Sequence, residues 1–225
     1  MAQEATREVK VWDGWIRLFH WSIVALVAIS WVSMQAGKAE AHYVSGYAVL
    51  TLLLFRIGWG LAGSETARFT RFLRSPIAGL RHIARFGQRE PDTEIGHNAA
   101  GGWMVLALLL LLLVQAGTGL FANHEPGFTY DAHGPLALAV QDRTSAWLTG
   151  IHHLNFNLIL AAIALHVLAV AAYQVVKGHN LVGPMITGIK ALPVRAAAPR
   201  MGSPVLAAVF LAAAAVAVWG ITRLG

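Results

Sequence analysis

Five stretches of this 225-residue chain are long and apolar enough to cross a lipid bilayer as helices. A bilayer core takes about 20 apolar residues per helix. The stretches run from about residue 15 to 35, 41 to 62, 99 to 122, 151 to 176 and 204 to 221, and none of them contains an Asp or Glu. Only 12% of all residues are charged, against roughly 25% in soluble domains. The sequence therefore predicts an all-α membrane protein with a fifth, C-terminal transmembrane helix.

The distribution of positive charge predicts how these helices are oriented. Cytoplasmic loops of membrane proteins are enriched in Lys and Arg. Of the 17 basic residues, 14 lie around the start of the first stretch, from the end of the second stretch to the third, or between the fourth and fifth. We therefore expect the N-terminus in the cytoplasm and the C-terminus in the periplasm. Because the net charge of +6 follows this topology, we expect contact with membrane lipid and no nucleic-acid partner.

Five histidines lie inside the apolar stretches, where an imidazole is costly unless something binds it, and four of them sort into two pairs by depth. Helix direction places His20 and His166 toward the cytoplasmic side, and His42 and His152 toward the outer side. The chain has no cysteine, which excludes thiolate-held iron–sulfur clusters and covalently attached haem. The two pairs therefore predict a transmembrane helical bundle that holds two haems b, each between two imidazoles.

The spacing on the fourth stretch supports this pairing by depth. His152 and His166 are fourteen residues apart, which is about 21 Å along a helix and about 40° around it. One helix would thus present two imidazoles on one face at two depths. His153 lies about 140° from His166 around the same helix, so we prefer His152 as the ligand.

The spacing of the histidines is also compatible with roles that involve no haem. A single histidine in a membrane helix often makes only a hydrogen bond between helices. A zinc or nickel transporter could also line its path with histidines, although such a path normally includes carboxylates, and these stretches have none. A non-redox metal transporter or assembly scaffold is therefore kept as an alternative function.

Several segments around these histidines resemble the bacterial cytochrome b561 family, which includes the b-type cytochrome subunits of nickel–iron hydrogenases. The similar segments are RLFHWSIVAL around His20, HYVSGYAVLTLLLFRIGWG from His42, GHNAAGG around His97, IHHLNFNLILAAIALHVLAV in the fourth stretch, and NLVGPMITGIK from Asn180 to Lys190. The resemblance implies a four-helix bundle with two haems b over residues 1–190. Residues 191–225 then form a linker and an accessory transmembrane helix, which either contacts a partner or faces lipid.

The resemblance also implies a location and partners. It places the protein in the bacterial cytoplasmic membrane, where it would pass electrons between a periplasmic redox partner and the quinone pool. The partner would be a cytochrome c, or a dehydrogenase or hydrogenase subunit. In related cytochromes the quinone binds near the cytoplasmic haem, which points here to His97 and Asn98. The alternative for His97 is an interfacial residue bound to water or to a haem propionate.

Three further residues are candidates for contact with haem. Arg17 and Arg56 stand at the cytoplasmic ends of the first two helices and could pair with propionates, or equally with lipid phosphate. Gly46 lies four residues after His42 on the same helix face, where it leaves room for a flat macrocycle.

Between the second and third stretches, residues 72–86 contain three arginines spaced among apolar residues. This pattern indicates either a short interfacial amphipathic helix or a solvated basic loop.

Some members of the resembled family are themselves enzymes. Small cytochromes b561 include proteins that oxidise superoxide and pass the electron to quinone, so a superoxide:quinone oxidoreductase is a second alternative. A positively charged outer funnel would be expected to steer that anion. The outer side here has only Lys38, Arg143 and Arg223, which favours an electron-transfer component over a stand-alone catalyst.

Overall fold

The computed structural model describes residues 5–88, 91–123 and 133–224. Arg89, which contributes to the predicted topology, lies outside the described residues, as do residues 124–132 of the predicted outer loop and the ends of the chain. In chain order the elements are β1 (Thr6–Lys10), α1 (Gly14–Gln35), α2 (Ala39–Ala62), α3 (Phe69–Phe72), α4 (Pro76–Ala84), α5 (Ala99–Gly119), α6 (Asp142–Ala172), α7 (Val182–Thr187), β2 (Ile189–Pro193) and α8 (Pro204–Ile221).

Within the described part of the chain, five helices are long and apolar enough to span a membrane. They are α1, α2, α5, α6 with the π-helical turn Tyr173–Lys177 that follows it, and α8. The prediction of an all-α membrane protein with five such helices is confirmed. The π-helical turn ends at Gly178, whose positive φ of 73° suits a residue without a side chain.

The fourth long helix begins earlier than the sequence predicts. It starts at Asp142 and not near residue 151, because its polar first turns are not recognised by a search for apolar residues. Ser145, fully buried, donates its hydroxyl to the Phe121 carbonyl at 2.7 Å. The Thr149 hydroxyl accepts from the backbone N–H of Asn123 at 3.1 Å. These bonds attach the extra turns to the chain that follows α5.

The chain divides into two compact units. The first comprises Met1–Leu18, Ile57–Ala107 and Ala162–Ala207, and the second comprises Phe19–Arg56, Leu108–Ala161 and Ala208–Gly225. Each of the five long helices contributes residues to both units.

The first unit contains a small antiparallel sheet that the sequence analysis does not predict. β1 pairs with β2 in the register Thr6 with Pro193 and Lys10 with Ile189. One face of the pair is buried, since Val9 is 2% exposed and Leu192 is 0% exposed. The division predicted at residue 190 falls inside β2 and stays a prediction.

The predicted amphipathic helix is present as α4. Ser75 caps its start by accepting from the backbone N–H of Ala78 at 3.3 Å, and Pro76 occupies the first turn. Its apolar side chains Ile77, Leu80 and Ile83 are 60%, 67% and 60% exposed. The spacing of these three residues places them on one face of the helix.

Asp13 caps α1. Its Oδ1 accepts from the backbone N–H of Ile16 at 2.8 Å, and its Oδ2 accepts from Nε1 of Trp59 at 3.1 Å. Asp13 and Trp59 are both buried. One carboxylate therefore satisfies a helix terminus and a buried indole in the first unit.

We predict that Asp13→Ala lowers the free energy of unfolding by about 2 to 3 kcal/mol, because it removes a cap and leaves a buried indole N–H without its acceptor. Denaturant unfolding of the purified protein in detergent measures this. Asp13→Asn should lose less, since one oxygen acceptor remains. Glu8→Ala, which removes an equal charge from an exposed position of β1, should have almost no effect. An equal loss in Glu8→Ala would contradict the assignment.

Candidate cofactor site

His42 and His152 are brought together in the second unit. His42 lies in the first turns of α2, and His152 lies on α6. Their ring centroids are 6.2 Å apart, and the ring planes meet at 76°. Imidazole nitrogen binds a first-row metal ion such as zinc at about 2 Å, so two imidazoles on opposite sides of one metal ion have centroids roughly 6 Å apart. The separation in this structure therefore suits two axial ligands of a single iron.

Hydrogen bonds fix the orientation of both rings. Nδ1 of His42 lies 2.9 Å from the carbonyl oxygen of Ser30, and Nδ1 of His152 lies 3.0 Å from the carbonyl oxygen of Gln115. A carbonyl only accepts, so each Nδ1 must carry the proton and donate. In a neutral ring Nε2 then keeps its lone pair. Metal-binding histidines typically show this arrangement, with one nitrogen anchored to a carbonyl and the other available to the metal.

One side-chain hydroxyl also lies within hydrogen-bonding distance of each Nδ1. The Ser30 hydroxyl lies 3.0 Å from Nδ1 of His42, and the Thr118 hydroxyl lies 3.2 Å from Nδ1 of His152. Ser30 belongs to α1, so α1 positions the ligand on α2, while α5 positions the ligand on α6 through Gln115 and Thr118. Each of the two imidazoles is thus held by the helix that carries it and by one neighbouring helix.

A cavity of about 470 Å³ is lined by both rings. Its volume lies within the range of about 300 to 1,000 Å³ that is usual for cofactor and ligand pockets. The wall is mainly apolar, with side chains from α1, α2, α5 and α6: Val27, Val49, Leu50, Leu112, Phe156 and Ile159. An apolar cavity with two convergent imidazoles fits a tetrapyrrole better than it fits a hydrated metal ion.

Glycines make room on two sides of this cavity. Gly46 lines it, and a Cβ placed on Gly46 would meet no atom within 4 Å. A Cβ placed on Gly119 would lie 3.0 Å from Cε1 of His152. Gly46 therefore leaves open space next to the rings, as a flat macrocycle requires, and Gly119 lets α5 approach His152 closely.

Deeper in the second unit, a polar pair joins α5 and α6. Asn155, only 5% exposed, donates to the Leu111 carbonyl at 2.9 Å and to Oε1 of Gln115 at 2.7 Å. The Gln115 side chain thus makes a hydrogen bond between helices. Because the Gln115 carbonyl also accepts from His152, the pair supports the helix segment that orients that ring.

The structure does not test the second predicted haem pair. His20 belongs to the second unit and makes an edge contact with Trp21 at 4.9 Å between ring centroids. His166 belongs to the first unit and is partly buried. Their pairing stays a prediction. His153, which we set aside as a ligand, is exposed, although it also contributes to the lining of the cavity.

The two predicted propionate partners differ in their surroundings. The guanidinium of Arg17 donates through Nη1 to the carbonyl of Ile186 in α7. Arg56 is only 3% exposed, which is unusual for an arginine and places a positive charge inside the second unit. Contact of either residue with a propionate stays a prediction.

At the predicted quinone site, His97 and Asn98 already have contacts within the first unit. Asn98 caps α5, since its Oδ1 accepts from the backbone N–H of Gly101 at 2.7 Å. The ring of His97 packs against Trp12 and Phe72, with centroids at 4.7 and 5.0 Å. The next glycine, Gly102, approaches the Phe72 carbonyl so closely that an added Cβ would lie 2.6 Å from it.

The comparisons with known proteins give one match. The family model for prokaryotic cytochrome b561 matches residues 11–188. No curated protein and no solved structure matches the chain. The matched range contains all four histidines of the predicted haem pairs.

We predict that Gln115 and Asn155 are energetically coupled by about 0.6 kcal/mol, and by no more than about 1.7, the range of hydrogen bonds measured between membrane helices. A double-mutant cycle with Gln115→Leu and Asn155→Leu, read by unfolding in detergent, measures this coupling. As a control, Asn155→Leu should be additive with Thr51→Val, because among the described residues the Thr51 hydroxyl bonds within its own helix, to the Tyr47 carbonyl. Additivity of the first pair as well would mean that their contact contributes nothing.

Proposed function

Because the chain belongs to the prokaryotic cytochrome b561 family, we propose that it is a membrane electron carrier whose helices hold two haems b. As a member of that family it is an integral membrane b-type cytochrome of electron transfer. Cytochromes of this family interact with quinone and with redox partners in general. The number of haems, their ligands, the partner and the orientation in the membrane belong to the proposal.

The observation that carries the proposal is the geometry of His42 and His152. Two imidazoles at a centroid separation of 6.2 Å, each anchored at Nδ1, present their Nε2 atoms for one metal. Bound haem supplies an iron that cycles between Fe(II) and Fe(III). With His42 and His152 both bound to that iron, no coordination site would be left for oxygen or substrate. The histidines therefore support electron transfer and not oxygen chemistry.

We propose His20 and His166 as the ligands of the second haem, with Gly46 leaving space beside the first. His152 and His166 share α6, fourteen residues and about 21 Å apart along its axis. A single helix would then supply one ligand to each haem and connect the two levels of the membrane. Arg17 and Arg56 would pair with propionates of the inner haem.

The distribution of basic residues supports an orientation in the cytoplasmic membrane of a bacterium. We place the N-terminus in the cytoplasm and the C-terminus in the periplasm. His42 and His152 then face the periplasmic side, where a cytochrome c or a dehydrogenase or hydrogenase subunit would exchange electrons. His20, His166 and the quinone site near His97 and Asn98 face the cytoplasmic side.

We predict that His42→Ala and His152→Ala each lose one of two haems, because each removes an axial ligand of the same site. Haem per protein after purification, measured by absorbance, checks this. The matched control is His153→Ala, which removes the neighbouring exposed histidine and should keep both haems. Full haem content in His42→Ala and His152→Ala, or loss in His153→Ala alone, would contradict the assignment.

For the quinone site, we predict that His97→Phe slows quinone-dependent oxidation of the reduced protein at least about tenfold, the loss expected when one direct hydrogen bond to substrate is removed. Phenylalanine keeps the packing against Trp12 and Phe72 but has no ring nitrogen. Haem content should stay at the wild-type level, which separates a quinone contact from a folding defect.

Asn98→Asp provides a comparison, because aspartate keeps the oxygen that caps α5 while it removes the amide N–H groups. If both variants oxidise at the wild-type rate, His97 and Asn98 act only in packing and capping, and the quinone binds elsewhere.

A further inference from the structure

A second cavity in the first unit, of about 320 Å³, is lined by basic side chains. Its lining comes from α4 and its flanks, the first residue of α5, and the π-helical turn after α6: Arg74, Ala78, Arg81, His82, Arg85, Ala99 and Lys177. Ala99 begins a membrane-length helix and Lys177 ends another. The cavity therefore lies at the level where two spans leave the apolar part of the bilayer.

The charges of this basic cavity are only partly balanced by the protein. Arg74 donates two hydrogen bonds to Glu94, at 3.0 and 2.7 Å. The hydrogen bond with Glu94 raises the pKa of the Arg74 guanidinium above its usual value. Lys177 donates to the neutral Gln88 carbonyl at 2.8 Å and lies over the ring of Phe86, and it has no carboxylate partner within the described part of the chain.

Arg81 and Arg85 have no carboxylate partner among the residues that the structure describes. The nearby Asp92 is bound to Lys190 at 2.6 Å. Counting only described residues, the positive charges of Arg81, Arg85 and Lys177 are thus not balanced by a carboxylate and can attract an anion. Arginine binds phosphate oxygens well, because its planar fork donates two parallel hydrogen bonds.

The apolar face of α4 distinguishes a lipid from a soluble anion. Ile77, Leu80 and Ile83 are exposed by 60% or more and form one face of α4, which borders Arg81 at Ile77. At about 100° per residue, Arg81 lies about 40° around the helix from Ile77, at the edge of this face, and about 100° from Leu80, at its centre. A phosphate bound at Arg81 would therefore lie beside Ile77, and the acyl chains of a phospholipid would reach the apolar face from that edge.

We propose that the basic cavity binds the phosphate headgroup of an anionic phospholipid, with its acyl chains along the apolar face of α4. Basic pockets at the ends of transmembrane helices are a known means of selecting such headgroups. The bound lipid would fix α4 against the starts and ends of the spans. This site is independent of the haem ligands, so it stands or falls separately from the proposed electron transfer.

The test is retention of lipid by the purified protein. The full chain is reconstituted in vesicles of equal parts phosphatidylcholine and phosphatidylglycerol, extracted in detergent, and the bound lipids are measured by native mass spectrometry. The wild-type protein should retain phosphatidylglycerol in preference to phosphatidylcholine. Retention of both lipids in the proportions of the vesicle would overturn the proposal.

The variant Arg81→Gln/Arg85→Gln should retain about thirtyfold less phosphatidylglycerol, since each basic side chain near an anionic lipid contributes about a fivefold preference. The matched control is Arg71→Gln/Arg195→Gln, which removes two exposed arginines of the same unit that do not line the cavity. An equal loss in the control would show a general effect of surface charge and overturn the assignment.

Two further experiments distinguish a bound lipid from a bound soluble phosphate. Leu80→Ser keeps every charge of the cavity but weakens the apolar contact, so it should lower phosphatidylglycerol retention. Arg81→Lys/Arg85→Lys keeps the two positive charges and should retain most of the lipid. Millimolar inorganic phosphate should leave the bound lipid in place. Displacement of the lipid by phosphate together with unchanged retention in Leu80→Ser would identify a soluble anion site and overturn the lipid assignment.

Discussion

The hydrogen bonds from histidine Nδ1 to backbone carbonyls are the interactions on which the candidate cofactor site depends. They hold the rings of His42 and His152 in the tautomer that leaves Nε2 available to a metal. A backbone carbonyl is a durable anchor, because no side-chain substitution removes it. Helices α1 and α5 therefore act on the site mainly by where they place the carbonyls of Ser30 and Gln115.

Buried polar groups also join helices to one another within each of the two units. In an apolar environment each polar group needs a partner, and the partners found here join segments that are far apart in sequence. Asn155 and Gln115 join α6 to α5 beside a candidate ligand, and Asp13 joins the start of α1 to Trp59 of α2. These few bonds specify which segments of otherwise similar apolar helices pack together.

The long helices could be predicted, because they follow from local patterns of hydropathy. For α4 the sequence offered an amphipathic helix as one of two alternatives, and the structure has the helix. The early start of α6 at Asp142 could not, since its polar turns are attached by contacts with the chain after α5. Nor could the pairing of β1 with β2, because residues 6 and 193 are distant in sequence and the strands are short. At the site, spacing and helix direction predicted that His42 and His152 lie together, as their rings do, and their role as haem ligands stays a prediction. The roles of Ser30, Thr118 and Asn155 depend on how helices face one another, although a polar residue at membrane depth is itself a signal.

The measurement that tests the central claim most directly is a haem-to-protein ratio combined with a redox titration of the purified wild-type protein. A membrane protein with one pair of imidazoles at each of two depths should contain two b-type haems per chain and titrate as two separate components. A colourless protein, or one that binds a single haem and titrates as one component, would contradict it.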